Sequence, residues 1–118
     1  MYIAVMGYGT VGSGVVEVFL KNHDSIIKKC GQSQLDLKYI LDLRDFPNDP
    51  NKDKFTKDFN DILNDDEVKI VVETMGGLHP AFEFVSSLLK AGKSVVTSNK
   101  ELVAAKGAEL LKIAKNNN

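Results

Sequence analysis

Long apolar runs, paired cysteines and a surplus of one charge are all missing from this 118-residue chain. No stretch approaches the roughly 20 apolar residues that a bilayer-spanning helix needs, so no segment reads as a membrane span. Cys30 is the only cysteine. It has no partner in the chain for a disulfide, and a metal centre built from cysteines is excluded. Fifteen basic residues stand against sixteen acidic ones, which leaves no electrostatic footprint for nucleic acid or an anionic membrane. The opening MYIAVMGYG carries no basic leader and its apolar run breaks after Met6, unlike a signal peptide. There is no internal repeat, and no low-complexity segment beyond the three closing asparagines. The plain expectation is a cytoplasmic protein. At 43% hydrophobic residues the chain can bury a core, and its length suits one domain rather than two.

What is present alternates between strand and helix signals. Tyr2 to Met6 is a short continuous apolar run ended by Gly7, as expected of a strand buried on both faces. Apolar residues then recur at helical spacing from Val11 to about Lys29, interrupted near Asn22-His23-Asp24, with Gly31 as a stop. Leu35 to Leu41 or Leu43 reads as a second strand, and DFPNDPNKD (45–53) as loop. Phe55 to Phe59 reads as a short edge strand, and Asp58 or Asn60 caps a brief helix through Leu63. Val68 to Val72 is a strand broken by Gly76-Gly77, and Pro80 opens a helix that Gly92 ends. Val95 to Thr97 is the last strand, followed by two helical pieces, Glu101 to Lys106 and Ala108 to Lys115. Such alternation predicts an α/β fold, a Rossmann-type doubly wound parallel sheet in a single domain with strand order 3-2-1-4-5.

Three stretches carry chemistry. Gly7-Tyr8-Gly9-Thr10-Val11-Gly12 matches G-x-G-x-x-G directly after a buried strand and at the opening of a long helix, the context that gives the motif its meaning. Gly7 permits the tight turn, Gly9 lets a pyrophosphate approach the backbone, and Gly12 lets helix and strand pack closely. The amides of Tyr8 to Val11 then face phosphates at a helix N-terminus. Beyond the second strand, Asp42 can accept hydrogen bonds from a ribose 2′-hydroxyl, favouring NAD, and Arg44 can pair a 2′-phosphate, favouring NADP. A one-residue change in the strand end decides which of them faces the ribose, so the choice between NAD and NADP stays open.

The second stretch, Glu73-Thr74-Met75-Gly76-Gly77, follows the Val68 strand, and its glycines allow the main chain close to a flat ring or its ribose. His79 precedes Pro80 and reads as a turn residue rather than a catalyst, and His23 reads as surface. The third is GKSVVTSNKELVA (92–104), where a strand stops at Ser98-Asn99-Lys100 and a helix follows. Ligands of open α/β sheets bind at the carboxyl ends of the strands. Lys100 falls on the first turn of that helix, at the positive end of the macrodipole, where a cation is disfavoured. A lysine placed against that bias points to something it touches, and Lys100 is the first candidate for chemistry.

The blocks VMGYGTVG (5–12), VVETMGG-x-x-PA (71–81) and AGKSVVTSNKELVA-x-x-G (91–107) together resemble the cofactor domain of homoserine dehydrogenase, and they span essentially the whole chain. The glycine loop is common to many dehydrogenases; the other two blocks are far more specific. The resemblance implies NAD(P)-dependent interconversion of L-homoserine and L-aspartate 4-semialdehyde, on the route from aspartate to threonine, isoleucine and methionine. It also implies that Thr74, Met75 and Gly76 line the nicotinamide side, together with Ser98 and Asn99, and that Lys100 lies where nicotinamide meets substrate. There its ammonium stabilises or protonates the oxygen that changes between alkoxide and hydroxyl. A nearby helix N-terminus and any second cation make such a lysine easier to deprotonate.

Members of that family continue into a second domain that binds homoserine and forms a homo-oligomer. Residues 1–118 are therefore expected to be the cofactor domain alone, binding nucleotide without turnover. Two other readings remain: a stand-alone module sensing NAD(H) or another nucleotide, and the cofactor domain of another semialdehyde or sugar oxidoreductase. Sensors carry an acid directly at the end of the second strand and need no lysine after the last one. Ser98-Asn99-Lys100 and Gly76-Gly77 argue against a sensor.

Overall fold

Buried apolar runs set the sheet. Residues 1–30 and 35–117 are described by the structure, a computed structural model. Among the described residues, five strands, β1 (Tyr2–Met6), β2 (Asp36–Leu41), β3 (Phe55–Thr56), β4 (Val68–Glu73) and β5 (Ser94–Thr97), form one sheet in the order β3-β2-β1-β4-β5. Every pairing is parallel. The expected doubly wound topology is therefore the observed one, and the carboxyl ends of all five strands share one edge.

Two registers slip beside β1. Ile3 pairs with Leu37 but Ala4 with Tyr39, and Tyr2 pairs with Val68 but Ile3 with Ile70. Lys38 and Lys69 are the residues skipped, each the extra residue of a bulge. Because one inserted residue exchanges the faces of a strand, Leu37 and Ile40 both reach the same core layer, with Val5 of β1 and Val16 of helix α1 (Thr10–Lys21). The opposite layer holds Ala4, Met6 and Val71 against Val85 and Leu88 of α4 (Ala81–Lys90) and Leu102 of α5 (Lys100–Asn117). Val71, Leu88 and Leu102 are each fully buried, a burial that contributes about 1.5–3 kcal/mol per side chain.

Short helix α2 (His23–Cys30) follows α1, which ends on Asn22 as the interrupted pattern predicts. Asp58 caps α3 (Phe59–Leu63) by accepting from the Asn60 amide at 2.9 Å. A single 3-10 turn, Lys52–Lys54, leads into β3. The stop expected at Gly31 lies outside the described residues.

Three boundaries differ from expectation. Edge strand β3 ends at Thr56 rather than Phe59, because the Thr56 hydroxyl accepts from the Asp58 amide and the chain turns there. Helix α4 begins at Ala81, with Pro80 as its cap rather than its first residue. The two C-terminal helical pieces are one helix, α5, running through Gly107. A lone glycine costs a helix about 1 kcal/mol without breaking it, and Leu102 and Leu110 on either side both anchor α5 to the core.

Candidate functional site

At the carboxyl edge, β1 runs into the glycine loop. Gly7 adopts φ +95° and donates its amide to the Leu41 carbonyl at 2.7 Å. Gly12 lies directly beneath it: a Cβ there would stand 1.9 Å from the Gly7 carbonyl oxygen and 2.8 Å from Thr74 Oγ1. The Thr74 hydroxyl reaches the carbonyls of Met6 (2.9 Å) and Gly7 (3.0 Å), tying the start of the loop to the end of β4. By contrast a Cβ on Gly9 would meet nothing within 4 Å. The loop is thus tight underneath and open above. The first amide of α1 to bond backwards is that of Ser13, to the Gly9 carbonyl. The amides of Thr10, Val11 and Gly12 precede it and have no intrahelical acceptor.

The Tyr8 amide departs from expectation. It donates to Asp42 Oδ2 at 2.9 Å, so of the amides from Tyr8 to Val11, Tyr8's is committed to the second strand's end and not to the opening. Asp42 is the hub of that end. Its Oδ1 accepts from the Arg44 amide (2.9 Å) and Nε (3.0 Å), and its Oδ2 accepts from Arg44 Nη2 (2.9 Å) as well as from Tyr8. The Arg44 bonds hold the Asp42 carboxyl down at about 2 against the opposing effect of burial. Asp42's side chain is only 9% exposed, whereas that of Arg44 is 64% exposed and lies over the Phe46 ring. Tyr8's hydroxyl donates to Asp49 Oδ2 at 2.7 Å, and its ring meets Phe46 and Phe55 edge-on. Burial and the Asp49 bond push the Tyr8 hydroxyl up to about 12.

A cleft of about 420 Å³ opens between Gly7–Gly9, Asp42–Arg44, and Thr74 and Met75, with Phe84 of α4 at its side. A second hollow of about 530 Å³ shares Asp42, Arg44 and Lys57 with it and adds Phe46, Lys52 and Phe55. Gly12 underlies the cleft without lining it.

The turns after β4 and β5 meet farther along the same edge. Gly76 and Gly77 take φ of +75° and +74°, a region that suits glycine. Asn99 is 5% exposed. Its Oδ1 accepts from the Leu102 amide at 3.1 Å, capping α5, and its Nδ2 donates to the Gly77 carbonyl. Asn99 therefore faces inward and joins the two turns, rather than facing the opening. Ser98 and Lys100 are exposed on either side of it, and Lys100 makes no ion pair among the described residues. Neither lines the cleft, which ends at Thr74 and Met75.

One residue absent from the sequence-based set belongs here. Glu73, the last residue of β4, is 0% exposed. Its Oε2 accepts from the Met75 amide at 2.8 Å and its Oε1 from the Thr97 hydroxyl, with Asn99 Nδ2 at 3.5 Å from Oε2. The signal in the sequence was an acid closing the run VKIVVE, directly after Val71-Val72. His79 pairs with Glu83 on the exposed start of α4, and His23 lies against the Leu35 carbonyl and Asp36. Among the described residues no group of His, Cys, Asp or Glu is arranged to hold a metal, and no helix is long and apolar enough to cross a membrane.

Known proteins are similar to this chain in sequence and fold. Residues 7–118 match the family model described as homoserine dehydrogenase, NAD binding domain. A homoserine dehydrogenase of Lactococcus lactis is 34% identical over 116 residues, 95% of this chain but 27% of that protein. A crystal structure of S. aureus homoserine dehydrogenase superposes with a TM-score of 0.89 at 37% identity, covering 99% of this chain and 30% of the other. A hyperthermophilic archaeal homoserine dehydrogenase in complex with NADPH shares the fold, at a TM-score of 0.76 and 24% identity, over 98% of this chain and 41% of its own. The chain thus spans under a third of the length of the first two. With that loop, the Thr74–Gly77 turn and the Ser98-Asn99-Lys100 turn on one sheet edge, the chain belongs to the family of homoserine dehydrogenase NAD-binding domains.

Proposed function

We propose that these 118 residues form the cofactor domain of an enzyme interconverting L-homoserine and L-aspartate 4-semialdehyde, and that NADP is the preferred nucleotide. The observation that carries the reading is the contrast within one loop, where Gly12 is packed against Gly7 and Gly9 faces open space. A loop closed below and open above suits a pyrophosphate, with the free amides of Thr10 and Val11 beside it. Thr74, Met75 and Gly76 take the nicotinamide side.

The preference for NADP rests on Asp42. A carboxylate offers about four lone-pair sites, and the two oxygens of Asp42 already accept four hydrogen bonds from Arg44 and Tyr8. Little acceptor capacity is left for a ribose hydroxyl. Arg44 is exposed and can offer its remaining N–H groups to a 2′-phosphate. Lys57, in the wall of the same cleft, is a second cation there, paired with Asp45 Oδ1 at 2.8 Å.

A bound nicotinamide supplies the hydride acceptor or donor. Lys100 moves the proton at the substrate oxygen: on reduction its ammonium stabilises the charge that grows there as hydride adds and then donates the proton, and on oxidation the neutral amine takes the hydroxyl proton as hydride leaves. The groups that bind homoserine, and the contacts that assemble subunits, would come from the length that relatives carry beyond this region. Residues 1–118 alone then bind nucleotide and leave homoserine unchanged. A cytoplasmic location fits that role.

Titration with NAD and NADP tests the reading. The parent should bind NADP more tightly, Arg44→Ala should weaken NADP by tenfold or more and leave NAD within twofold, and Asp42→Ala should affect both less. Absence of binding to either nucleotide would remove the cofactor reading. Homoserine-dependent NADP reduction by these residues alone would remove the division of labour.

A further inference from the structure

We propose that Glu73 is the positioning residue of the nicotinamide end, holding the turn after β4 against the turn that presents Lys100. The proposal rests on the cofactor reading above. Three features of Glu73 carry it: complete burial, no cation within salt-bridge distance among the described residues, and donors arriving from three separate pieces of chain.

A buried carboxyl group is costly unless hydrogen bonds replace its water. Here the Met75 amide comes from the β4–α4 turn, the Thr97 hydroxyl from the end of β5, and the Asn99 amide group from the start of α5. Thr97 Oγ1 also accepts the Asn99 backbone amide at 3.0 Å, and Asn99 reaches on to the Gly77 carbonyl and the Leu102 amide. Lys100 immediately follows Asn99. One carboxylate therefore fixes both the backbone at Met75 and, through Asn99, the first turn of α5.

The acid is suited to this in a way that its amide is not. All three groups facing Glu73 can donate to it. Glutamine in its place would turn its NH2 to Thr97 Oγ1, which already accepts the Asn99 amide and would have to accept again, leaving the hydroxyl proton without its carboxyl partner. No hydrogen bond of Glu73, Thr97 or Asn99 reaches the glycine loop or Asp42, and the network meets the loop only where Met75 packs against Gly7, so the hydrogen bonds of the adenosine and phosphate end are separate ones. The two ends of the site can be uncoupled by changing Glu73 alone.

The test compares the parent with Glu73→Gln and Glu73→Leu, and with Thr97→Val, which removes one donor and leaves the acid in place. ADP-ribose affinity reports the adenosine and phosphate end. The emission of saturating bound NADPH reports how the reduced nicotinamide is held. In the parent, the bound emission should be enhanced and blue-shifted. Glu73→Leu should return it to that of free NADPH while ADP-ribose affinity stays within twofold. Glu73→Gln and Thr97→Val should fall between. Thermal melting is followed in each variant, and if Glu73→Leu does not fold, Glu73→Gln and Thr97→Val decide. Emission that is unshifted in the parent, or unaltered in the variants that fold, overturns the proposal; so does an equal loss of ADP-ribose and NADPH affinity, the mark of a purely structural acid. A parent that binds neither ligand instead overturns the cofactor reading itself.

Discussion

Gly12 and Gly7 are in contact so close that no side chain fits between them: a Cβ on Gly12 would lie 1.9 Å from the Gly7 carbonyl oxygen. That contact forces the chain after β1 to turn back across the start of α1. It also leaves Gly9, two residues from Gly7, facing open space with an ordinary φ of −83°.

Gly12→Ala and Gly9→Ala should therefore fail differently. Alanine at 12 must push the Gly7 carbonyl or the helix aside, a displacement that costs about 1–3 kcal/mol, and nucleotide binding should go with it. Alanine at 9 meets no atom and needs no strained backbone, so stability should stay within about 0.5 kcal/mol. Its methyl would occupy the space over the loop, and NADP affinity should still drop at least tenfold. Denaturant unfolding and nucleotide titration of both variants check this. Parent-like affinity in Gly9→Ala would place the phosphates elsewhere.

How far the sequence could be read follows from how local each cause is. Strands β1, β2 and β4 were legible because burial on both faces leaves apolar runs, and the glycine loop because its spacing is fixed by contacts within six residues. The bulges at Lys38 and Lys69 were not, since a skipped residue is defined only by the neighbouring strand. Gly107 was misread as a break because the anchoring of Leu102 and Leu110 to the core is tertiary. Glu73 escaped for the same reason: its donors from Thr97 and Asn99 lie 24 and 26 residues away. Tyr8 was placed correctly in the loop, but the destination of its amide, Asp42, is 34 residues off.

The Asp42–Arg44 pair makes a prediction at acid pH. Arg44's hydrogen bonds lower the Asp42 carboxyl from 3.8 to about 2 in the folded protein. Between those values the unfolded chain binds the proton and the folded chain does not, so stability is lost as pH falls. The contribution is complete above about 4 and vanishes below about 2. In Arg44→Ala the Asp42 carboxyl should titrate closer to its ordinary value, and the acid-unfolding midpoint followed by circular dichroism should move to higher pH. An unmoved midpoint, with Asp42 titrating unchanged by carbon NMR, would mean that the Tyr8 amide alone holds the carboxylate.

Lys93 gives the same sign at alkaline pH, where stability again rises with pH. It is 7% exposed, and its ammonium donates to the carbonyls of Asp65 and Val68, both at 2.7 Å, pinning the turn before β4. Burial, aided by the Lys69 charge, lowers its proton affinity below that of a free lysine. The folded protein thus releases this proton before the unfolded chain does, and as pH rises toward 10.5 the Lys93 contribution moves in favour of the fold. Lys93→Met keeps the aliphatic stem but strands both carbonyls, and should cost about 1–3 kcal/mol at neutral pH. The difference in unfolding free energy between parent and variant should widen from pH 8 to 10. A constant difference would mean that Lys93 keeps its ordinary proton affinity.

Lys100 sits where the fold would do better without it. It opens α5, whose N-terminal amides and dipole favour a negative charge, and no carboxylate among the described residues pairs with it. Lys100→Gln should accordingly raise stability by about 0.3–1 kcal/mol. If the lysine is retained for chemistry at the substrate oxygen, the same change in a full-length enzyme carrying this domain should reduce kcat by about 10²–10³-fold, the loss seen when a preorganised group at a developing charge is removed. Stability and turnover must move in opposite directions for this reading to stand. A variant that loses stability would show that the fold, rather than the substrate, holds the ammonium in place; one that keeps its kcat would move the proton-transfer role to another residue.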